Sequence, residues 1–207
     1  MDRQPNRLRT DNRPGGGTVV KLTRHLRSAL PALSVVAVVA AAAAVWHNLP
    51  TPTDVYGPFD VHAEVGAPAK GRAVIATVTA VRIARSVNSV AATGQWVVVD
   101  TTLDAVSSTE VPRSELIVGP NTYTPSDRFF VNTLNAEISP GISQRGAWVF
   151  DVAPELVAPG ASESLTLLVW VGFEFMDSRL AIRIPTNDSR VSRVDGVELQ
   201  PPVKSAS

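Results

Sequence analysis

The feature that most limits how this chain can fold is an uncharged apolar run. It extends from Ser28 to Trp46 and is rich in alanine and valine. A helix needs about 20 apolar residues to cross the hydrocarbon core of a bilayer. Ser28 is suited to cap such a helix, and Pro31 would lie in its first turn, where a missing N–H costs no hydrogen bond. The run therefore predicts a single transmembrane helix over residues 28–47.

The charges on either side of this run predict its orientation. Residues 1–27 carry a net charge of +5, and the rest of the chain carries −5. Segments rich in Lys and Arg stay on the cytoplasmic side of a membrane. We therefore expect residues 1–27 to be a disordered cytoplasmic tail and residues 48–58 to be a proline-rich spacer. Everything after the spacer is expected to be extracytoplasmic.

A cleaved signal peptide is a second interpretation of the same run. Ala42, Ala43 and Ala44 provide a cleavage pattern of small residues. The long basic arm and the length of the apolar run favour the anchor, because the apolar part of a signal peptide is shorter. The chain has no cysteine, so no lipid can be attached through a thioether. The sequence alone leaves both the anchored and the cleaved form open.

The part of the chain beyond the spacer is long enough for one domain with its own core. Because cysteine is absent, this domain must fold without disulfides and without thiolate metal ligands. Its charge balance is mildly acidic and no basic face is evident, which argues against nucleic-acid binding.

Alternation of apolar and polar residues predicts strands in this domain. Residues 73–87 and 95–105 show it most clearly. Residues 165–171 are apolar at nearly every position, which is typical of a central strand buried on both faces. We expect seven or eight short strands over residues 59–185, followed by a flexible tail over residues 186–207. The fold class predicted is all-β, an antiparallel β-sandwich.

Five motifs follow one another in this domain: VRIARSV, GQWVVVDTTL, IVGPNTYTPSD, PGISQRGAWVFDV and SLTLLV. Their order resembles that of immunoglobulin-like extracytoplasmic domains of unknown function in Gram-positive and actinobacterial (mycobacterial-type) membrane-anchored surface proteins. The resemblance implies an immunoglobulin-like β-sandwich outside the membrane, often tethered to it. It implies no catalytic residues.

The sequence shows no constellation suited to catalysis or metal binding. His62 is the one histidine of the predicted domain, whereas a zinc site needs several ligands. Serine-elbow and cysteine nucleophile motifs are also missing. The carboxylate pairs Asp100 with Asp104 and Glu174 with Asp177 are expected on solvated strand faces and turns, the alternative being a glycosidase pair. We predict no enzyme, no cofactor and no metal site.

Aromatic residues around Gly172 raise the question of an exposed apolar patch. They are Trp170, Phe173 and Phe175. A patch of this kind would indicate contact with a lipid or a protein. A strand buried on both faces, or one covered by the connection over residues 125–140, is the expectation we prefer.

These observations predict a non-catalytic, membrane-anchored protein that serves as a protein-interaction or accessory module of the cell envelope. The alternative is a tethered carrier that holds a lipid or small apolar ligand between its sheets. An apolar cavity lined by Leu165, Leu167, Trp148 and Phe150 would indicate the carrier. A filled core with an exposed patch would indicate the interaction module, and a cleft with converging carboxylates would indicate an enzyme.

Overall fold

The computed structural model describes residues 19–48, 59–172 and 178–206, with helix side chains described from residue 34. Contacts divide the chain into two units, Met1–Thr51 and Pro52–Ser207. Residues 1–18 of the expected tail and residues 49–58 of the expected spacer lie outside the described residues.

The described part of the first unit is one α-helix, α1, over Val19–Asn48. Residues 28–47 lie within it, but the expected cap at Ser28 is wrong. The stretch before Ser28 contains Leu, Lys and Arg, which are good helix formers, so the helix starts upstream and Pro31 lies in its interior. Within the residues that the structure describes, no helix is both long enough and apolar enough to cross a membrane.

The second unit consists of two stacked β-sheets. Its strands are β1 Phe59–Glu64, β2 Ala69–Lys70, β3 Val74–Val87, β4 Val90–Ala105, β5 Pro112–Val118, β6 Asn121–Tyr123, β7 Ile142–Val152, β8 Leu165–Val171, β9 Ser178–Ile184, β10 Val191–Val197 and β11 Val203–Ala206. Sheet 1 has the order β1-β9-β8-β5-β6, and sheet 2 has the order β10-β3-β4-β7-β11 with β2 beside β3. The expected all-β sandwich is confirmed.

The core lies between the inward faces of the two sheets. Val97, Val99 and Leu103 of β4 are fully buried there, as the alternation predicts. Strand β8 is the central strand of sheet 1 and is buried on both faces, again as predicted. Burying one side chain of this size contributes roughly 1.5–3 kcal/mol to folding.

The edges of the sheets differ from expectation. The described residues form eleven strands, nine of them within residues 59–185, where seven or eight were expected, and the expected flexible tail contains β10 and β11. The β1–β9 and β10–β3 pairings are parallel, so the sheets are mixed. Most side chains of β10 and all of those of β11 are exposed. Edge strands held by backbone hydrogen bonds need no apolar period, which explains why their sequences give no strand signal.

The outer face of sheet 2 is partly covered. Trp96 and Val98 of β4 form a second buried cluster with Phe129, which lies in the long connection, and with Leu199 near the C-terminus. The face of β4 that was expected to be solvated is therefore buried in its first half and half-buried from Asp100 to Asp104.

The turn between β3 and β4 holds the C-terminal segment against this face. Asn88 and Ser89 both have positive φ, 45° and 65°, as a two-residue type I′ hairpin turn requires. The backbone N–H of Asn88 donates to the Val197 carbonyl oxygen at 2.9 Å. The Leu199 N–H donates to Asn88 Oδ1 at 2.8 Å, so one turn residue fixes the segment at two points.

Candidate functional site

A cleft of about 470 Å³ opens between β5 and the connection that follows β6. This size lies within the range of small-molecule and side-chain binding sites. We call it the tryptophan cleft, because Trp148 and Trp170 both line it. The rest of its lining is Pro112, Arg113, Ser114, Glu115, Thr124, Pro125, Ser126, Asp127, Phe130, Thr133, Leu134 and Asn135.

One lip of the cleft is a 3₁₀ turn, Asp127–Asn132, which we call the 127–132 turn. Phe129 anchors it, since its ring meets Trp96 edge to face at a centroid distance of 5.2 Å. Thr133 Oγ1 donates to the Phe130 carbonyl oxygen at 3.3 Å, and the Asn135 amide donates to the same oxygen. The turn is therefore held on its buried side by the Phe129 ring and at the Phe130 carbonyl oxygen by two hydrogen bonds.

Two apolar side chains project from this fixed turn. Phe130 is 62% exposed and Val131 is 79% exposed. Phe130 lines the cleft, whereas Val131 does not. The turn therefore presents two adjacent apolar side chains on a backbone that is held in place.

The side of the cleft towards sheet 2 is closed by hydrogen bonds. The Trp148 indole N–H donates to the Leu134 carbonyl oxygen at 2.7 Å. The backbone N–H of Leu134 donates to Ala147 at 3.0 Å, and that of Ser126 donates to Val149 at 2.8 Å. The connection thus occupies the edge of β7 beside the cleft.

The side of the cleft towards sheet 1 is open. Strand β5 pairs with β8 along residues 112–118, but β6 covers β5 only over residues 116–118. Ser114 lies on the uncovered part and is only 5% exposed. Its Oγ has no hydrogen-bond partner within the described parts of the chain. A buried hydroxyl without a partner is costly and calls for an explanation.

A second cleft, of about 520 Å³, lies on the outer face of sheet 1. His62 is exposed there. The Asp60 carboxylate receives two hydrogen bonds from Arg179, at 2.8 and 3.1 Å. Glu64 lies 4.0 Å from Arg183. Across residues 34–48, 59–172 and 178–206, no three His, Cys, Asp or Glu side chains are grouped to hold a metal ion.

A third cleft, of about 460 Å³, lies beside β10. Arg85, Arg193 and Asp195 line it, and all three are exposed. Exposed charges of both signs are ordinary on a solvated edge, so this cleft has no feature that points to one ligand.

Of the two carboxylate pairs, only Asp100 with Asp104 lies in the described residues. Asp100 accepts two hydrogen bonds from Arg82, at 2.8 and 2.6 Å. It is thus partly shielded and ion-paired, and the expectation that it is solvated is wrong. Asp104 lies four residues further along the same strand, so its Cα is about 13 Å from that of Asp100. This spacing exceeds the distance between the two catalytic carboxyl groups of glycosidases. Glu174 and Asp177 lie outside the described residues.

The pKa of the Asp100 carboxyl is raised above its ordinary value of 3.8. Burial is the main cause, because it disfavours the charged form. The hydrogen bonds and the charge of Arg82 act in the opposite direction but are outweighed.

The aromatic patch expected around Gly172 is only partly described. Trp170 is buried on the outer face of sheet 1 with Leu168 and Ala181, which agrees with the preferred expectation. Phe173 and Phe175 lie outside the described residues. The exposed aromatic side chain beside the cleft is Phe130, which sequence reasoning missed. A serine at an inward position of β5, between Pro112 and Leu116, was the available signal for Ser114.

No protein-family model matches the chain, and no curated protein is significantly similar to it in sequence. Two solved structures are similar in fold. A candidate lipoprotein, ycdA, from Bacillus subtilis subsp. subtilis str. 168 shares 10% identity at a TM-score of 0.44, over 59% of this chain and 39% of that protein. An uncharacterized β-sandwich protein from Clostridium difficile 630 shares 10% identity at a TM-score of 0.40, over 60% of this chain and 95% of that one. Neither likeness carries a function to this chain.

Proposed function

We propose that this chain is a non-catalytic binding module of the cell envelope, anchored in the membrane by residues 28–47. Its sandwich, of an immunoglobulin-like kind and in an actinobacterial setting, is displayed outside the cell membrane. It recognises a protein partner through the 127–132 turn. The observation that carries the proposal is the rigid display of Phe130 and Val131.

The geometry of the turn supports a protein partner. Interface energy is concentrated in a few aromatic and apolar anchors that pack into the partner. Binding is stronger when such anchors are already held in place, because less conformational entropy is lost. Phe129 and the hydrogen bonds to the Phe130 carbonyl oxygen supply this preorganisation. Burying Phe130 and Val131 would contribute roughly 1.5–3 kcal/mol for each side chain.

The composition of α1 supports the anchor. Every side chain described from Ser34 to Asn48 is exposed. Four of its valines, Val35, Val36, Val38 and Val39, are each more than three-fifths exposed. Exposed valine side chains are stable in the hydrocarbon of a bilayer, whereas their apolar surface is unfavourable in water. The charge difference between the two flanks gives the proposed orientation.

The carrier has less support than the interaction module. Leu165, Leu167 and Phe150 are fully buried in one core cluster, together with Trp148. Among them, only Trp148 reaches any of the three clefts described above. A molecule held between the sheets would have to displace this packing.

The experiment that tests the proposal is a purification in mild detergent of the tagged full-length protein from its native membranes. We expect a stoichiometric protein partner, which is lost when Phe130→Asp and Val131→Asp are combined. Phe59→Asp is the matched control, because Phe59 is 76% exposed on β1, at the opposite edge of sheet 1 from β6. Its partner should be retained.

Two outcomes would overturn the proposal: no stoichiometric partner, or a partner that the double variant still retains. A co-purifying lipid without a protein would instead support the carrier. The intact mass of the same sample shows whether residues 1–44 are still attached, and so decides between the anchor and the cleaved signal peptide.

A further inference from the structure

We infer that the tryptophan cleft receives an extended peptide segment of the partner protein, which adds as a short strand beside Ser114 of β5. This inference rests on the proposed function and names the way in which the partner is held. Strand addition to an open sheet edge is a recurring mode of peptide recognition, in which backbone hydrogen bonds are joined by side chains held in pockets.

The open edge is a property of the strand pairing. Residues 112–115 have β8 on one side and no strand on the other, because β6 ends its pairing at Leu116 and Tyr123. The chain then leaves for sheet 2, where Ser126 bonds to Val149. The cleft fills the place that a longer β6 would occupy.

The register shows which groups face this open edge. Val118 pairs with Asn121 across the two-residue turn Gly119-Pro120. Residues that flank such a turn form a hydrogen-bonded pair, and the direction of backbone groups then alternates along the strand. The N–H and C=O groups of Ser114 therefore point towards the cleft. Pro112, two residues earlier, has no N–H on that edge, which is where a strand tolerates proline.

Ser114 thus offers three hydrogen-bonding groups to one ligand. Its backbone provides a donor and an acceptor, and its buried Oγ has no partner in the described structure. A peptide bond in extended form matches the backbone pair, because each residue carries one donor and one acceptor at the same spacing.

The surroundings of Ser114 indicate the side chains that the peptide carries. Trp148, Leu134 and the exposed ring of Phe130 line the cleft, which suits one apolar side chain of aromatic or leucine size. Arg113 and Asp127 lie on its rim, are exposed, and form no ion pair among the described residues. A segment that carries both an acidic and a basic residue would complement them.

The test uses full-length protein in detergent and a pool of capped seven-residue peptides. Each peptide begins with Glu and ends with Lys, has β-branched residues between them, and varies at the central position. We expect peptides with a central Phe, Tyr, Trp or Leu to bind. When these peptides bind, hydrogen–deuterium exchange should slow in residues 112–116 of the protein. N-methylation of the central amide should weaken binding at least tenfold, because it removes a backbone donor and leaves the side chain in place.

Protein variants test the side-chain contributions to peptide binding. Ser114→Ala should weaken peptide binding about threefold to tenfold, and Phe130→Ala should do the same. Phe59→Ala is the matched control, since Phe59 is also an exposed aromatic residue but lies on β1 and does not line the cleft. It should change peptide affinity less than twofold.

The inference is overturned if no member of the pool binds at 1 mM, if the N-methylated peptide binds equally well, or if exchange slows elsewhere. The inference is also overturned if a neutral sugar slows hydrogen–deuterium exchange in residues 112–116 and the peptides do not. If the peptides fail but the native partner still depends on both Phe130 and Val131, the proposed function holds through a flat patch and strand addition is wrong. If the peptides bind but no native partner is found, strand addition at the tryptophan cleft is supported and the proposed function is overturned.

Discussion

At the scale of single residues, Asp100 and Ser114 are polar groups that the fold shields from water, partly for Asp100 and almost fully for Ser114. Asp100 is paired with Arg82 by two short hydrogen bonds, and burial still raises its pKa. Ser114 has no partner for its hydroxyl in the described residues. The first is stabilised by its neighbour, and the second leaves a hydrogen-bonding group for a ligand.

The raised pKa of Asp100 predicts a pH dependence of stability. A carboxyl whose pKa is raised on folding binds its proton more tightly in the folded state, so its contribution is most favourable below the unfolded pKa and is lost as the pH rises through the folded pKa. From about pH 3 to about pH 7, we therefore expect the free energy of unfolding of the wild type to fall relative to that of Asp100→Asn. Urea unfolding of both proteins over this range measures the difference. A difference that moves in favour of the wild type would show that the Arg82 ion pair outweighs burial.

At the scale of elements, the β3–β4 turn and the C-terminal segment depend on each other. Asn88 bonds to both Val197 and Leu199, and Leu199 helps to cover Trp96. The turn thus connects a local hairpin to residues more than a hundred positions away. The 127–132 turn depends on the same cluster through Phe129, so the surface that displays Phe130 shares its support with the C-terminus.

Replacing Asn88 with alanine tests this dependence. The variant loses the side-chain hydrogen bond to the Leu199 N–H and places alanine at a positive φ, so we expect a loss of about 1–3 kcal/mol in the free energy of unfolding. Hydrogen exchange should quicken in residues 191–199. Ser89→Gly is the matched control at the neighbouring position: it relieves a positive φ of 65° and should not destabilise the protein. If hydrogen exchange in residues 191–199 is unchanged in Asn88→Ala, Asn88 does not hold the C-terminal segment in place.

At the scale of the whole molecule, the sandwich extends to the C-terminal strands. The sequence predicted its end near residue 185, whereas β10 pairs with β3 and β11 pairs with β7. These two strands form the outer edges of sheet 2. The segment between them supplies Leu199 to the cluster around Trp96.

Truncation tests where the domain ends. Removal of residues 186–207 exposes the edges of β3 and β7 and uncovers Trp96, so we expect a loss of several kcal/mol and a red shift of tryptophan fluorescence. Removal of residues 203–207 alone takes away β11, whose side chains are all exposed, and should cost much less. Equal stability of the full chain and the longer truncation would show that the expected flexible tail was correct.

The central strands can be predicted from the sequence, because a period of two residues records which side chains face the core. Val97, Val99 and Leu103 are buried as predicted, and β8 is the doubly buried centre of sheet 1. The edges of the sheets and the tryptophan cleft depend instead on tertiary contacts. Strand β10 is held by backbone bonds that leave no apolar pattern, and the environment of Ser114 depends on where β6 stops pairing. Contacts of this kind join residues far apart in the chain, so no local pattern of side chains encodes them.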